Sequence, residues 1–518
     1  MKTLKSYVRG NWHEAQGGFV TLVDPSTEEE IARASSEGID FGAVLTYARE
    51  RGGPALRAMT FAQRSQLLKD MSKVLRDNRD ELLELSARNT GTTKPDGSFD
   101  VDGGSGTLAY YASIGKGLGE RTFLSEGDGV QLAKTEGFYG RHILVPRHGV
   151  AVHINAFNFP IWGFAEKAAC ALLAGMPVIT KPATSTALTT ERAIELMVTA
   201  GILPEGALQL IIGSTGDLLD RLGPQDVLAF TGSADTAKRL RSRDNLLAAN
   251  TRVNVEADSL NAAILGPDVA DGSATWGLFL KDVVREMTQK TGQKCTAVRR
   301  ILVPAGRIDA VQDALAEKLS QIVVGNPTDS SVRMGPVATA QQLKDAEEGI
   351  AELSRGARIV HGTGKRMNGA GAPEGKGFFL QPTLLRSDDA RSAGPVHERE
   401  VFGPVATLLP YDGSAAEAAE ISALGGGTLV TSAYTDDAVW AADFVSRGGG
   451  ATGRVYIGSE SSANDAPGSG AALPQTLHGG PGRAGGGEEL GGLVGVRLYL
   501  QRVAVQGSKT VVDGVIGE

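Results

Sequence analysis

A chain of 518 residues is too long for a single hydrophobic core and is expected to divide into two or three domains. Its 41% hydrophobic and 22% charged residues are ordinary for a globular protein, and a net charge of -8 gives no basic field for nucleic acid or a membrane surface. No apolar run approaches the roughly 20 residues of a membrane span, the N-terminus MKTLKSYVRGNWHEAQ lacks a secretory signal, and two cysteines suit a reducing compartment, so a cytoplasmic protein is expected.

In chain order, Leu56 to Ala87 carries helical periodicity, with Leu67, Leu68, Met71, Val74, Leu75, Leu82 and Leu83 on one face. From Gly149 to Glu256 short apolar runs alternate with helical ones. Strands are predicted at 149–155, 177–181, 207–212, 227–230 and 253–256, with helices at 163–174, 189–200 and 234–242 between them. Such alternation implies right-handed crossovers and a mostly parallel sheet covered on both faces. A second series follows: helices at 278–290, 311–323, 340–354 and 415–422, and strands at 300–303, 406–409 and 428–434. The segment 496–506 alternates and ends polar, as an edge strand available to another subunit does.

Glycine is the compositional oddity, with 68 residues against a usual share of about 7%. Much of it lies in 448–450 and in 479–492, and either a flexible linker or a close approach of backbone accounts for such tracts. Two stretches, Gly104 to Ala109 and Gly480 to Gly485, match a dinucleotide-binding fingerprint by letter. Neither follows a buried strand, which that fingerprint requires, so both are set aside.

Four residues stand out chemically. Cys295, in TGQKC, lies in a glycine-containing loop where Lys294 can favour the thiolate, whereas Cys170, in AACALLAG, reads as helix core. Glu256 closes the apolar strand VNVE, and Lys181 closes PVITK. In open parallel sheets ligands gather at such carboxyl ends, although a solvated strand end looks the same in sequence. Asn158, in FNFP, is either an oxyanion donor or a residue of the turn and helix cap before Pro160. A thiol nucleophile and a separate carboxylate base suit two-step acyl chemistry.

The ordered series FNFP, TKPA, FTGS, a glutamate-ended strand, GQKC and EVFGPV resembles the aldehyde dehydrogenase superfamily from about residue 7 to residue 510. The wording EADSLN, VVREMTQKTGQKCTAVRR and LHGGPGRAGGGEELGG resembles one branch of it, the semialdehyde dehydrogenases of phenylacetyl-CoA and benzoyl-CoA degradation.

The resemblance implies an α/β fold with two doubly wound parallel-sheet domains and a small oligomerisation β-flap. Residues 1–127 and 150–255 would bind the cofactor, 256–468 would form the catalytic domain, and 128–149 with 469–518 would bridge subunits in a homodimer or homotetramer. It implies Cys295 as nucleophile, Glu256 as base, Asn158 with the Cys295 N–H as oxyanion hole, and Lys167 with Glu489 as a proton relay.

The implied cofactor is NADP. Lys181, Thr184, Ser185, Gly213, Gly216 and Ser233 would surround its adenosine ribose and phosphates. Glu400 would hold the nicotinamide ribose and Phe402 would lie beside the ring, while Ile154, Asn155, Phe230, Thr231, Gly232, Ala257 and Asp258 complete the wall. The implied substrate is a CoA-linked semialdehyde such as 3,4-dehydroadipyl-CoA semialdehyde.

Three departures touch the details. The family's E-L-G-G is Glu256-Ala257-Asp258-Ser259 here, Phe157 replaces the usual tryptophan, and Glu488 replaces the arginine of G-R-E-L-G. The rival readings are oxidation of a free aldehyde, transfer of the acyl group to CoA, and a catalytically silent relative. No metal is expected, because the seven histidines show no ligand spacing with either cysteine.

Overall fold

The computed structural model describes residues 1–135 and 137–517, and its frame is two seven-stranded sheets. The first runs in the order Arg252–Glu256, Val227–Thr231, Ala151–Ile154, Val178–Lys181 and Leu208–Leu210, all parallel, then the N-terminal hairpin strands Ser6–Val8 and Asn11–His13. The five parallel strands are buried along almost their whole length because both faces are covered. On one face Ala151, Val178 and Leu208 meet the helices Phe61–Asp77, Lys94–Leu118 and Trp162–Ala174 through Leu68, Tyr111 and Phe164. On the other, Val152, Ile179 and Leu228 meet Phe41, Val44, Ala237 and Leu240. Each large apolar side chain so buried contributes about 1.5–3 kcal/mol.

The pairing register aligns Thr231 with Glu256, Phe230 with Ile154, and Ile154 with Lys181. The carboxyl ends of four strands therefore share one rim. Strand order reverses between Ala151–Ile154 and Val227–Thr231, and a crevice opens at such a switch point.

The second sheet runs Arg358–His361, Thr383–Arg386, Val405–Tyr411, Arg300–Pro304, Ala262–Leu265, Thr431–Tyr434 and Val455–Gly458, with only the first antiparallel. A three-stranded antiparallel sheet joins Leu500–Gly507, Tyr139–Pro146 and Leu124–Gln131. Leu124–Gln131 spans the boundary expected at 127/128; Glu136 and Glu518 of the expected bridging segments lie outside the described residues. Among the described residues no helix is long and apolar enough to cross a membrane.

Several elements depart from expectation. The periodic stretch 56–87 is broken at Asn78, which ends Phe61–Asp77 and precedes Arg79–Thr90. The segment 496–506 begins with the helix Leu493–Arg497 and becomes a strand only at Leu500. Gly104 to Ala109 lies inside the helix Lys94–Leu118, and Gly480 to Gly485 forms the turn between the paired strands Leu477–Gly479 and Glu488–Leu490.

The glycine tract is not a linker. A Cβ on Gly485 or on Gly487 would lie 2.4 Å from the Val255 carbonyl oxygen, so both glycines permit the chain to press on the strand that ends in Glu256.

Candidate active site

Cys295 follows a sharply turned segment. After the helix Ala274–Thr288, Lys290, Thr291 and Gly292 all adopt left-handed backbone, with φ of 51°, 57° and 66°. A side chain at 292 would put its Cβ 2.2 Å from the Gly403 carbonyl oxygen. The two non-glycine residues hold strain that the fold must overcome, and the Thr291 hydroxyl donates to the Gly335 carbonyl at 3.0 Å. The turn delivers a half-buried thiol to a cavity of about 480 Å³ that Glu256, Asn158, Phe157 and Phe402 also line.

Lys294 does not help that thiol. Its ammonium is fully buried, 2.6 Å from Glu286 and 2.8 Å from Gln289. The neighbour of the sulfur is His478, with Nε2 3.7 Å from Cys295 Sγ and 3.0 Å from Glu256 Oε1. The absence of ligand spacing in the sequence therefore did not separate the histidines from Cys295: one carboxylate, one thiol and one imidazole converge here.

Burial alone would raise Glu256, but the charge and hydrogen bond of His478, helped by Lys167, hold it down at about 2. Burial and the Glu256 charge push the Cys295 thiol well up. For His478, burial opposes the charged form, yet Glu256 and then Glu166 raise it above its ordinary value. Cys170 is buried against Tyr111 and desolvation pushes it up to about 12, as core packing demands.

Behind Glu256 sits a buried charge cluster. Lys167 Nζ lies 2.8 Å from Glu166 and 3.0 Å from Glu489, and Glu489 accepts from Asn254 at 3.1 Å. Desolvation raises Glu166 to about 7 despite Lys167. Glu166 escaped the sequence reading, although two adjacent charges in the apolar run FAEKAACALLAG were a signal. Glu488, in the place of the family's arginine, is exposed, whereas Glu489 is buried.

Asn158 neither caps the next helix nor stands free. Its amide donates to the Gln293 carbonyl at 3.1 Å, which leaves its second N–H for the cavity. Among the described residues the Cys295 backbone N–H has no carbonyl partner.

The switch-point rim forms the rest of the cavity. Asn155, Thr231, Gly232, Ser233, Ala257, Asp258, Glu400 and Phe402 line it. Ser233 caps the helix Ala234–Arg241, and Asp258 accepts from Ala234 N at 2.9 Å. Glu400 accepts from Ser259 N at 3.1 Å, and the Phe402 ring meets Phe157 edge-on at 5.7 Å.

Ile154, Phe230, Lys181, Thr184, Ser185, Gly213 and Gly216 lie outside the cavity wall. Gly213 packs against Ser35 and Ser36, and Gly216 against Phe41. The Thr184 hydroxyl donates to the Gly213 carbonyl at 3.3 Å. Two features fit a dinucleotide. Among the described residues the half-buried Lys181 ammonium makes no ion pair or hydrogen bond, and Asn155 Oδ1 is buried without a partner.

Residues 12–504 match the model of the aldehyde dehydrogenase family. The chain is 46% identical over 478 residues to the 3,4-dehydroadipyl-CoA semialdehyde dehydrogenase of Aromatoleum evansii, covering 92% of this chain and 93% of that one. Among solved structures, a 3,6-anhydro-L-galactose dehydrogenase in complex with NAP superposes with a TM-score of 0.84 at 25% identity, covering 98% of this chain and all of the other. Staphylococcus aureus betaine aldehyde dehydrogenase in complex with NAD+ gives 0.84 at 25%, over 98% and 95% of the two chains.

Proposed function

Because the chain belongs to the aldehyde dehydrogenase family and is an aldehyde-oxidising oxidoreductase, we propose that it oxidises a CoA-linked semialdehyde to the acid with NADP, through a thioester on Cys295. One observation carries the mechanism: the Cys295 sulfur, the Glu256 carboxylate and the Asn158 amide face a single cavity at the sheet's switch point. The Cys295 sulfur bonds to the aldehyde carbon, and the oxygen takes up negative charge. The free Asn158 N–H and the Cys295 backbone N–H hold that oxyanion, and losing one such donor costs about 2.7–4 kcal/mol. The nicotinamide, when bound, supplies the hydride acceptor. Glu256 then takes a proton from water, which attacks the thioester and frees the acid and the thiolate.

Lys181, Thr184, Ser185 and Ser233 would hold the adenosine ribose and phosphates, and Glu400 the nicotinamide ribose. The cluster of Lys167, Glu166 and Glu489 would receive protons from Glu256. Gly213 and Gly216 act through packing: they set the loop to which Thr184 bonds. The sheet 151–256 with the N-terminal segment would serve the cofactor and the sheet 262–458 the chemistry. Leu500–Gly507, at one edge of the three-stranded sheet, would pair with a second copy in a dimer or tetramer.

The CoA part rests on the Aromatoleum evansii relative and on the HGGPGRAGGGEELGG wording. Specificity constants for a CoA-linked medium-length semialdehyde and its free counterpart, measured with NADP, test it. A higher constant for the CoA-linked form supports the assignment, and equal constants remove it. In Glu256→Gln the thioester should accumulate and register by intact mass. Turnover in wild type that requires free CoA, with none in water, would favour acyl transfer to CoA instead.

A further inference from the structure

We propose that His478 takes part in the reaction as an imidazolium whose single Nε2–H changes acceptor, from the Glu256 carboxylate at rest to the Cys295 sulfur once that sulfur is ionised. The inference rests on the thioester reading above. His478 Nε2 is 3.0 Å from Glu256 Oε1 and 3.7 Å from Cys295 Sγ, and one N–H cannot serve both at full strength. The ring is buried, and pairing of His478 with Glu489 across the strands Leu477–Gly479 and Glu488–Leu490 fixes its backbone. The charges that act on it come from several elements. Glu256 ends its strand, Cys295 sits on its loop, Glu166 on the helix Trp162–Ala174 favours the charged ring, and Arg454 opposes it.

The proton balance follows from this placement. In the resting trio Glu256 is a carboxylate, His478 an imidazolium and Cys295 a thiol. The S–H bond breaks, the proton passes to the Glu256 oxygen, and the electron pair stays on sulfur. Glu256 is now neutral and no longer competes for the His478 N–H, which then faces the thiolate. The charge of the trio is unchanged in this transfer, so the low-dielectric site holds no unpaired anion as the thiolate forms. Glu256 then passes the proton to the cluster of Lys167, Glu166 and Glu489 before it serves as base toward water. The same N–H stabilises the thiolate when it leaves the thioester during hydrolysis.

The test is His478→Gln, which keeps an amide N–H toward Glu256 but cannot carry charge. The rate of Cys295 alkylation by iodoacetamide is measured against pH in the intact protein without aldehyde, with Cys170→Ala in both backgrounds. The inflection in the Gln variant should lie about one pH unit or more above that of the His478 protein, a tenfold or greater loss of thiolate at neutral pH. NADP affinity and far-UV circular dichroism, which report folding, should hold, while the loss of the buried cation beside Glu256 lowers the thermal midpoint. Should the Gln variant fail to fold, His478→Asn is measured in its place. Superimposable pH profiles would overturn the proposal. Alkylation needs no aldehyde, so failure of wild type to oxidise any aldehyde would sink the thioester reading separately.

Discussion

Glu489 Oε2 lies 3.0 Å from Lys167 Nζ, joining the hairpin near the C-terminus to the helix that follows the first central strand. Both groups are buried, so the pair is sensitive to the loss of either member. Lys167→Met should leave Glu166 and Glu489 without their cation and lower stability by about 3–5 kcal/mol. Glu489→Gln keeps an acceptor for Asn254 and should cost less. Thermal or urea unfolding of the two variants gives the order; the reverse order would contradict the pairing.

Cys295→Ala should lower turnover by about a thousandfold or more while NADP affinity stays, because a unit of nucleophile and base fails when one member is lost. Cys170→Ala, which alters core packing beside Tyr111 and Gly495, should remain active. Steady-state kinetics with cofactor titration separates them. Substantial activity in the first variant removes the nucleophile.

Glu400 makes folding pH-dependent. Burial drives its carboxyl from 4.5 up to about 7, with Arg299 opposing and Asp258 adding to the rise. Between those values the folded chain holds a proton that the unfolded chain releases, so this group's contribution to stability falls as pH rises from 4.5 to 7 and stays low above 7. The span is at most about 3 kcal/mol. Urea unfolding at pH 5.5 and pH 8 should show a smaller difference in Glu400→Gln than in wild type.

NADP should be preferred to NAD by about ten- to a hundredfold, the worth of one charge-assisted hydrogen bond. The neutral Thr184 hydroxyl, tied to Gly213, does not repel a 2′-phosphate, and the Lys181 ammonium, without an ion pair or hydrogen bond among the described residues, can meet it. Thr184→Glu should move the preference toward NAD without changing the alkylation rate of Cys295. Equal specificity constants for the two cofactors in wild type would defeat the assignment.

The parallel sheet and its rim were legible because VNVE, PVITK and GVAVHIN carry the apolar runs of strands covered on both faces. Cys295 and Glu256 showed themselves through those strand and loop contexts. His478 did not: its place beside Glu256 comes from a hairpin far along the chain, and no local spacing encodes such a meeting. The helix Lys94–Leu118 was not predicted, and the only mark read in it was the discarded fingerprint match at Gly104 to Ala109. In the fold Gly103 admits the Trp162 ring, where a Cβ would come within 2.3 Å. Lys294 misled because adjacency in sequence says nothing about direction, and its side chain turns to Glu286.

The backbone on either side of Glu256 is held by the glycine tract: Gly487 N donates to the Val255 carbonyl and Ala257 N to the Ala484 carbonyl, each at 3.0 Å. His478 arrives on the same tract. During synthesis, which delivers N-terminal domains first, a nascent chain holding Cys295 and Glu256 still lacks the backbone that steadies the Glu256 strand end and the ring that joins its carboxylate to the thiol. The cluster of thiol, carboxylate and imidazole is thus completed only once residues 477–490 have followed Cys295 out of the ribosome, and a chain terminated before them carries its thiol and its carboxylate without the His478 ring that joins them.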